Sequence, residues 1–262
     1  MDTKIVMRVV LILLCTVGIC LAVGCTRNMA GSELKGADVN SVDGILRNLS
    51  RRTAELKSYQ SQIEYRFIQP LFESETRRKG VLYYAKFNGK SKLRINFQTL
   101  KQDDEAEQKY IEQYIFDGVW LTHIDYQIKE VKRYQKAEPN EPVDAFDLAS
   151  RNFPIIGFAG TEDLRKQFEI KLITQTETQP SQFIQLHLKV KPTSVYKDDY
   201  TSIDFWIDRR SALPARITAV STEGEIYQIK LLEPEVNKGI DKKVFEVRIP
   251  EGFTVEKRKT QD

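Results

Sequence analysis

The sequence predicts a mainly β fold: a strongly curved antiparallel sheet of about eleven strands, open as an incomplete barrel, with an N-terminal helix and a few short helices. Three observations predict it. After residue 58, apolar and polar residues alternate through most of the chain, the period of a half-buried strand. Turn residues follow nearly every run, so successive strands join locally and not through alternating helices. Aromatic residues make up 10% of the chain, with 11 Tyr and 13 Phe, which favours a β-rich globule over a disordered chain.

The first 41 residues stand apart from this pattern. Lys4 and Arg8 precede "VVLILLCTVGICLAV", fifteen uncharged residues, which is short for a membrane span and suits the apolar region of a signal peptide. Ala22, Val23 and Gly24 then lead straight into Cys25, and all three cysteines lie within the first 25 residues. This arrangement resembles the lipobox of bacterial lipoproteins, although the Leu usual three residues before the cysteine is Ala22 here and Leu21 stands one step further out. The resemblance implies a diacylglyceryl group on the Cys25 thiol and cleavage just before it. Cys15 and Cys20 then leave with the signal, and no disulfide can form in the mature chain. Thr26 stands where inner-membrane retention in enteric bacteria uses Asp, which favours the outer membrane. The expected organisation is a signal peptide over 1–24, the lipidated cysteine with a polar tether over 25–41, and one folded domain over 42–262. A flexible tether of this length reaches roughly 20–25 Å.

Val42, Ile45, Leu46, Leu49, Thr53 and Leu56 recur at helical spacing, with Ser41 placed to cap and Asp43 early, Arg51 and Arg52 late, which predicts a helix over 42–57. "YQSQIEYRFIQ" then puts Tyr59, Ser61, Ile63, Tyr65 and Phe67 on one face of a strand. "KGVLYYAKF" and "KLRINFQ" continue, the second aligning Leu93, Ile95 and Phe97. Asp117-Gly118 divides "YIEQYIFDGVWLTHI" as a hairpin turn whose two residues tolerate positive φ, and "YQIKEVKRY" reads as the next strand. Residues 137–168 interrupt the β pattern with a proline-broken loop, a short helix in "DAFDLASR", the apolar Gly/Pro segment "NFPIIGFAG", and a helix in "TEDLRKQF" capped by Thr161. Five more strand runs and a final one in "FEVRIPEGFTVE" complete the chain.

Charge and motif content narrow the function. Forty Lys and Arg oppose 37 Asp and Glu, and they interleave, so no basic stripe points to nucleic acid. The two histidines, His123 and His187, fall on separate strands without companion ligands, and the acidic stretches at 103–107 and 198–199 lack the spacing of a calcium loop. No nucleophile elbow, phosphate loop, zinc-protease helix or dinucleotide fingerprint occurs. The expectation is a protein that is not an enzyme and uses no cofactor or metal. What remains is apolar surface. Ile63, Tyr65, Phe67, Leu93, Ile95 and Phe97 would form one wall of an apolar cleft, Trp120, Phe205 and Ile207 others, and Ile155, Ile156 and Phe158 a movable segment.

The succession of these stretches resembles the periplasmic lipoprotein carriers of the LolA and LolB family. The carrying segments are "ILRNLSRRTAELKSYQSQIEYRF", "KGVLYYAKFNGKSKLRINF", "IFDGVWLTHIDYQIKEVKRY", "WIDRRSALPARI" and "YQIKLLEPEVNKGIDKKVFEVRIPEGFTVE", in that order over residues 42–257. The resemblance implies a half-barrel wrapped on internal helices, a cavity for the acyl chains of lipoproteins or lipids, and a lid formed by "NFPIIGFAG" with "TEDLRKQF". The Arg-Pro pair that carriers have after the second strand is absent from "AKFNGKSK". It also implies a periplasm-facing, lipid-anchored place in the bacterial envelope and acylated lipoproteins or lipids as partners, with an envelope protein as a further one. The alternatives are an RseB-like lipid sensor and an interaction lipoprotein whose core is filled.

Overall fold

The computed structural model describes residues 41–145, 161–173 and 182–259, without the side chains of 161–163. The expected signal peptide, Cys25 and the "NFPIIGFAG" segment lie outside these residues, as does all of "DAFDLASR" after Asp144 and Ala145.

Helix α1 spans Val42–Ala54. The Ser41 hydroxyl accepts from the Gly44 amide at 3.1 Å, satisfying one of the free donors of the first turn. Ile45, Leu46 and Leu49 form its buried stripe. The helix ends three residues earlier than the apolar spacing predicts, because the Asn237 side-chain oxygen accepts from the amides of Lys57 and Ser58 at 2.7 and 3.1 Å and draws the chain into the sheet. Leu56 remains buried without being helical.

The strands are β1 (Ser58–Gln69), β2 (Ser74–Phe87), β3 (Lys90–Gln102), β4 (Gln108–Phe116), β5 (Trp120–Asp125), β6 (Glu130–Gln135), β7 (Phe168–Ile173), β8 (Phe183–Val190), β9 (Tyr200–Asp208), β10 (Pro214–Ser221), β11 (Ile226–Val236) and β12 (Thr254–Arg258). Helix α2, Thr161–Gln167, runs directly into β7. All twelve strands form one sheet in the order β12-β6-β5-β4-β3-β2-β1-β11-β10-β9-β8-β7, so among the described residues β12 and β7 are its edges and the sheet is curled but not closed. Two meanders, β1 to β6 and β7 to β11, meet where β1 pairs antiparallel with β11.

Three expectations need correction. "FEVRIPEGFTVE" is not one strand: Lys242–Phe245 forms a 3₁₀ turn, and β12 begins only at Thr254. The Arg94 guanidinium donates to the carbonyls of Val244 and Glu246 at 2.7 and 3.2 Å and fastens this stretch against β3. The strand that does form, β12, pairs in parallel with β6, the one departure from an antiparallel sheet. The Asp117-Gly118 hairpin between β4 and β5 forms as expected, with Gly118 at φ 104° and the Asp117 carboxylate accepting from the amides of Val119 and Trp120. In "YQIKEVKRY" the first four residues are turn, ending at Lys129 with φ 53°, and the strand starts at Glu130.

Inward residues of every strand from β1 to β11 contribute to one core on the concave face, which α1 and Leu164 of α2 cover. A second, smaller cluster of Ile115, Ile124 and Val131 lies on the outer face against Tyr126, Val247 and Phe253 of the turn and C-terminal segment. At the centre of the concave face Gly80 sits at a bulge, opposite Ile63 and Phe97. A Cβ at Gly80 would stand 1.9 Å from the Asn96 carbonyl oxygen, a backbone atom that cannot step aside. Gly80→Ala is therefore expected to destabilise the fold by roughly 3 kcal/mol or more, read by urea denaturation. A loss under 1 kcal/mol would show that β2 and β3 do not need this approach.

Candidate functional site: the concave face of the sheet

Cross-strand register shows how the concave face is assembled. Phe205 lies opposite Leu186 on β8 and Ile217 on β10, and Ile217 in turn faces Ile229. Ile229 faces Tyr65, and Ile63 faces Leu231. On the other side Leu82 and Tyr84 face Ile95 and Leu93, which face Tyr114 and Phe116. Directly opposite residues of an antiparallel pair put their side chains on the same side of the sheet, so this is one apolar floor.

Of the residues expected to line a cleft, Ile63, Tyr65, Phe67, Leu93, Ile95, Phe97, Phe205 and Ile207 share this floor. Phe205 and Ile207, at 0% and 2% exposure, fill the core completely, whereas Leu93 and Ile95 are half-buried. Trp120 does not join them. Its strand neighbours Leu121 and Tyr134 face inward, so Trp120 points to the outer face, where the Arg133 guanidinium stands 5.1 Å from its ring centroid. Cys25, Ile155, Ile156 and Phe158 lie outside the described residues.

Between the end of α1 and the floor, Leu56, Tyr59, Ile63, Leu93, Ile217 and Leu231 are among the residues that line an apolar cavity of about 40 Å³. That is room for about three waters, at roughly 10–15 Å³ each, and far too small for an acyl chain while α1 is seated. Besides its three buried side chains, α1 is held by Arg52 Nε donating to the Ser211 carbonyl at 3.2 Å and by an exposed ion pair of Asp43 with Arg165 of α2.

Beyond Ile63 and Phe97 the floor turns polar. Glu112 is 1% exposed and sits on the concave side opposite Phe97. Its Oε1 accepts from the Tyr114 hydroxyl at 2.7 Å and lies 2.8 Å from His123 Nε2, whose ring stacks on Tyr114 at 4.5 Å. Its Oε2 is 3.5 Å from Arg78 Nε, and the Arg78 guanidinium also stands over the Tyr110 ring. Burial alone would push the Glu112 carboxyl up. The His123 hydrogen bond, the Arg78 charge and the Tyr114 hydroxyl outweigh it, so the group lies below the usual carboxylate range. The same burial raises the Tyr114 phenol well above its ordinary value, reinforced by Glu112. Sequence reading missed Glu112 and Arg78. Their phase was the available signal, since Glu112 alternates with Tyr114 and Phe116, and Arg78 with Leu82 and Tyr84.

His187, expected on the surface, is half-buried on the outer side with Nδ1 3.0 Å from Asp204 Oδ1. Among the described residues no three His, Cys, Asp or Glu side chains gather as a metal site, and no helix is long and apolar enough to cross a membrane.

These features define the class: an open, curled, almost wholly antiparallel sheet whose apolar concave side is covered by helices. No family profile and no curated protein sequence matches this chain. Solved structures similar to it include a conserved protein from Thermus thermophilus, at 10% identity over 82% of this chain and 98% of that one, with a TM-score of 0.49. A chain of the MucA/MucB complex of Pseudomonas aeruginosa is 13% identical over 78% of this chain and 60% of that one, with a TM-score of 0.42. A LolA superfamily protein from Nitrosomonas europaea is 12% identical over 78% and 97%, with a TM-score of 0.34.

A carboxyl held below its unfolded value gives stability that is fully present above about pH 4.3 and lost as the pH falls through the folded value. Glu112→Gln leaves Arg78 buried without an anion and is expected to lose about 3 kcal/mol at neutral pH. Denaturation curves across the acid range should show this variant less pH-dependent than the parent below about pH 4.3. Parallel pH profiles would mean that ionised Glu112 does not support the fold.

Proposed function

We propose that this protein is a non-enzymatic, lipid-anchored module of the bacterial envelope, facing the periplasm, that receives or carries acyl chains of lipoproteins or lipids on the concave face of its sheet. The observation that carries the reading is the continuous apolar floor whose middle α1 covers with three buried side chains. Burying each such side chain stabilises by about 1.5–3 kcal/mol, so seating α1 is worth about 5–9 kcal/mol. Ten acyl methylenes buried in its place give about 8 kcal/mol before association costs. Helix and acyl chain are therefore balanced competitors for one surface, and an exchange of this kind needs no polar code or catalytic group. The Cys25 lipobox and its tether would keep the module within reach of a membrane, with two or three acyl chains at Cys25 for stable attachment.

The small cavity beneath the seated helix favours a second reading, in which the core stays filled and the protein acts through its surface. Leu49→Ala separates the two. Removing this fully buried side chain weakens the seat of α1 by about 2–5 kcal/mol. If helix and acyl chain compete, the variant binds a fluorescent fatty-acyl probe at least tenfold more tightly than the parent. Unchanged or weaker binding by folded Leu49→Ala favours the filled core.

The anchor is tested separately. Mass spectrometry of the N-terminal peptide from cells is expected to find Cys25 as the first residue, carrying acyl groups. An uncleaved, unmodified segment would remove the lipoprotein claim.

A further inference from the structure

The apolar floor holds two buried donor atoms that have nothing to donate to. Tyr65 and Arg78 are directly opposite on β1 and β2, which puts their Cβ atoms about 4.5–5.5 Å apart on the concave side. They are 9% and 8% exposed. The Tyr65 hydroxyl and Arg78 Nε are both buried without a hydrogen-bond partner. Arg78 Nε is 3.5 Å from Glu112 Oε2, near enough for charge attraction but not hydrogen-bonded to it. Glu112 Oε1 is already committed to Tyr114 and His123.

Buried donors left unmatched are costly and rare in native proteins. Two of them, on directly opposite residues of an apolar floor, fit an acceptor that arrives with a ligand. The charge balance sets its chemistry. Glu112 already neutralises Arg78, so a second anion would be in excess. A neutral carbonyl oxygen has two lone pairs and can accept from both donors.

We propose that the Tyr65 hydroxyl and Arg78 Nε receive the carbonyl oxygen of an acyl ester, with the chain lying on the floor beside Ile63, Leu82 and Phe97. This rests on the acyl-binding reading and names its substrate class: esters of glycerol or similar alcohols, rather than any apolar chain. The site reads the first polar atom of the ligand, while the floor reads only length and shape.

The test uses the full chain in lipid nanodiscs, with empty nanodiscs to subtract uptake by the bilayer. The probes are monopalmitoylglycerol and its hexadecyl ether, which keeps the glycerol and an equally long chain but lacks the carbonyl. The parent protein is expected to bind the ester about a hundredfold more tightly, about tenfold for each of two hydrogen bonds to otherwise unmatched buried donors. Tyr65→Phe should lose about tenfold for the ester and nothing for the ether. This variant keeps the ring that packs against Phe97 at 6.4 Å, and its ligand-free thermal stability should not fall, since the deleted hydroxyl has no partner. Equal binding of ester and ether by the parent overturns the inference and leaves the acyl-binding reading standing. So does an equal loss for both probes in Tyr65→Phe, which would mark Tyr65 as packing. Binding of neither probe by the parent removes the acyl-binding reading and this inference together.

Discussion

The pairing of β1 with β11 is the contact on which the rest of the molecule depends. Each meander can form from near neighbours in sequence, but the two become one sheet only when Ile63, Tyr65 and Phe67 meet Leu231, Ile229 and Tyr227. This joins segments separated by about 160 residues, a closure whose entropy must be offset by the apolar area it buries. Once made, the pairing places the inward faces of both meanders along one concavity. α1, which leads directly into β1, is delivered onto that concavity by the same contact. Asn237, just past the end of β11, then fixes the start of β1 through two amides.

Curvature is set locally. The bulge at Gly80 brings β2 close against β3 where Gly80 lies between Ile63 on β1 and Phe97 on β3, and a second irregularity lies between Phe97 and Thr99 in the pairing of β3 with β4. Bulges increase twist and bend a sheet. They also return the alternation to phase beyond the bend, so that Leu100 again faces Arg78. The outer side has its own anchor, because Arg94, oriented by Gln113 of β4, holds the C-terminal segment through two carbonyls. Arg94 looks like a solvated charge in the sequence and is instead the point where the chain end is fastened.

The concave face thus carries two kinds of chemistry in sequence along β1. The apolar part is non-directional, and any chain or helix face of suitable shape can cover it. The polar part is directional: Glu112 is held by Tyr114, His123 and Arg78, and burying a carboxylate is tolerable only with such partners.

What the sequence by itself determined is what depends on near neighbours. The phase of each strand is local, so the inward placement of Ile63, Tyr65, Phe67, Leu93, Ile95 and Phe97 was legible from alternation alone. So were the Ser41 cap and the turn at Gly118. What the tertiary structure decided depends on partners distant in the chain. Trp120 is apolar by type, yet it lies in the outward phase of β5. The helix stops at Ala54 because Asn237 competes for the next amides. The second half of "FEVRIPEGFTVE" pairs in parallel with β6 while the first is fastened by Arg94. Arg78 and Glu112 meet across two strands, β2 and β4, that are separated by β3. Alternation tells a side chain which face to take, but only the folded sheet decides which other side chains are already there.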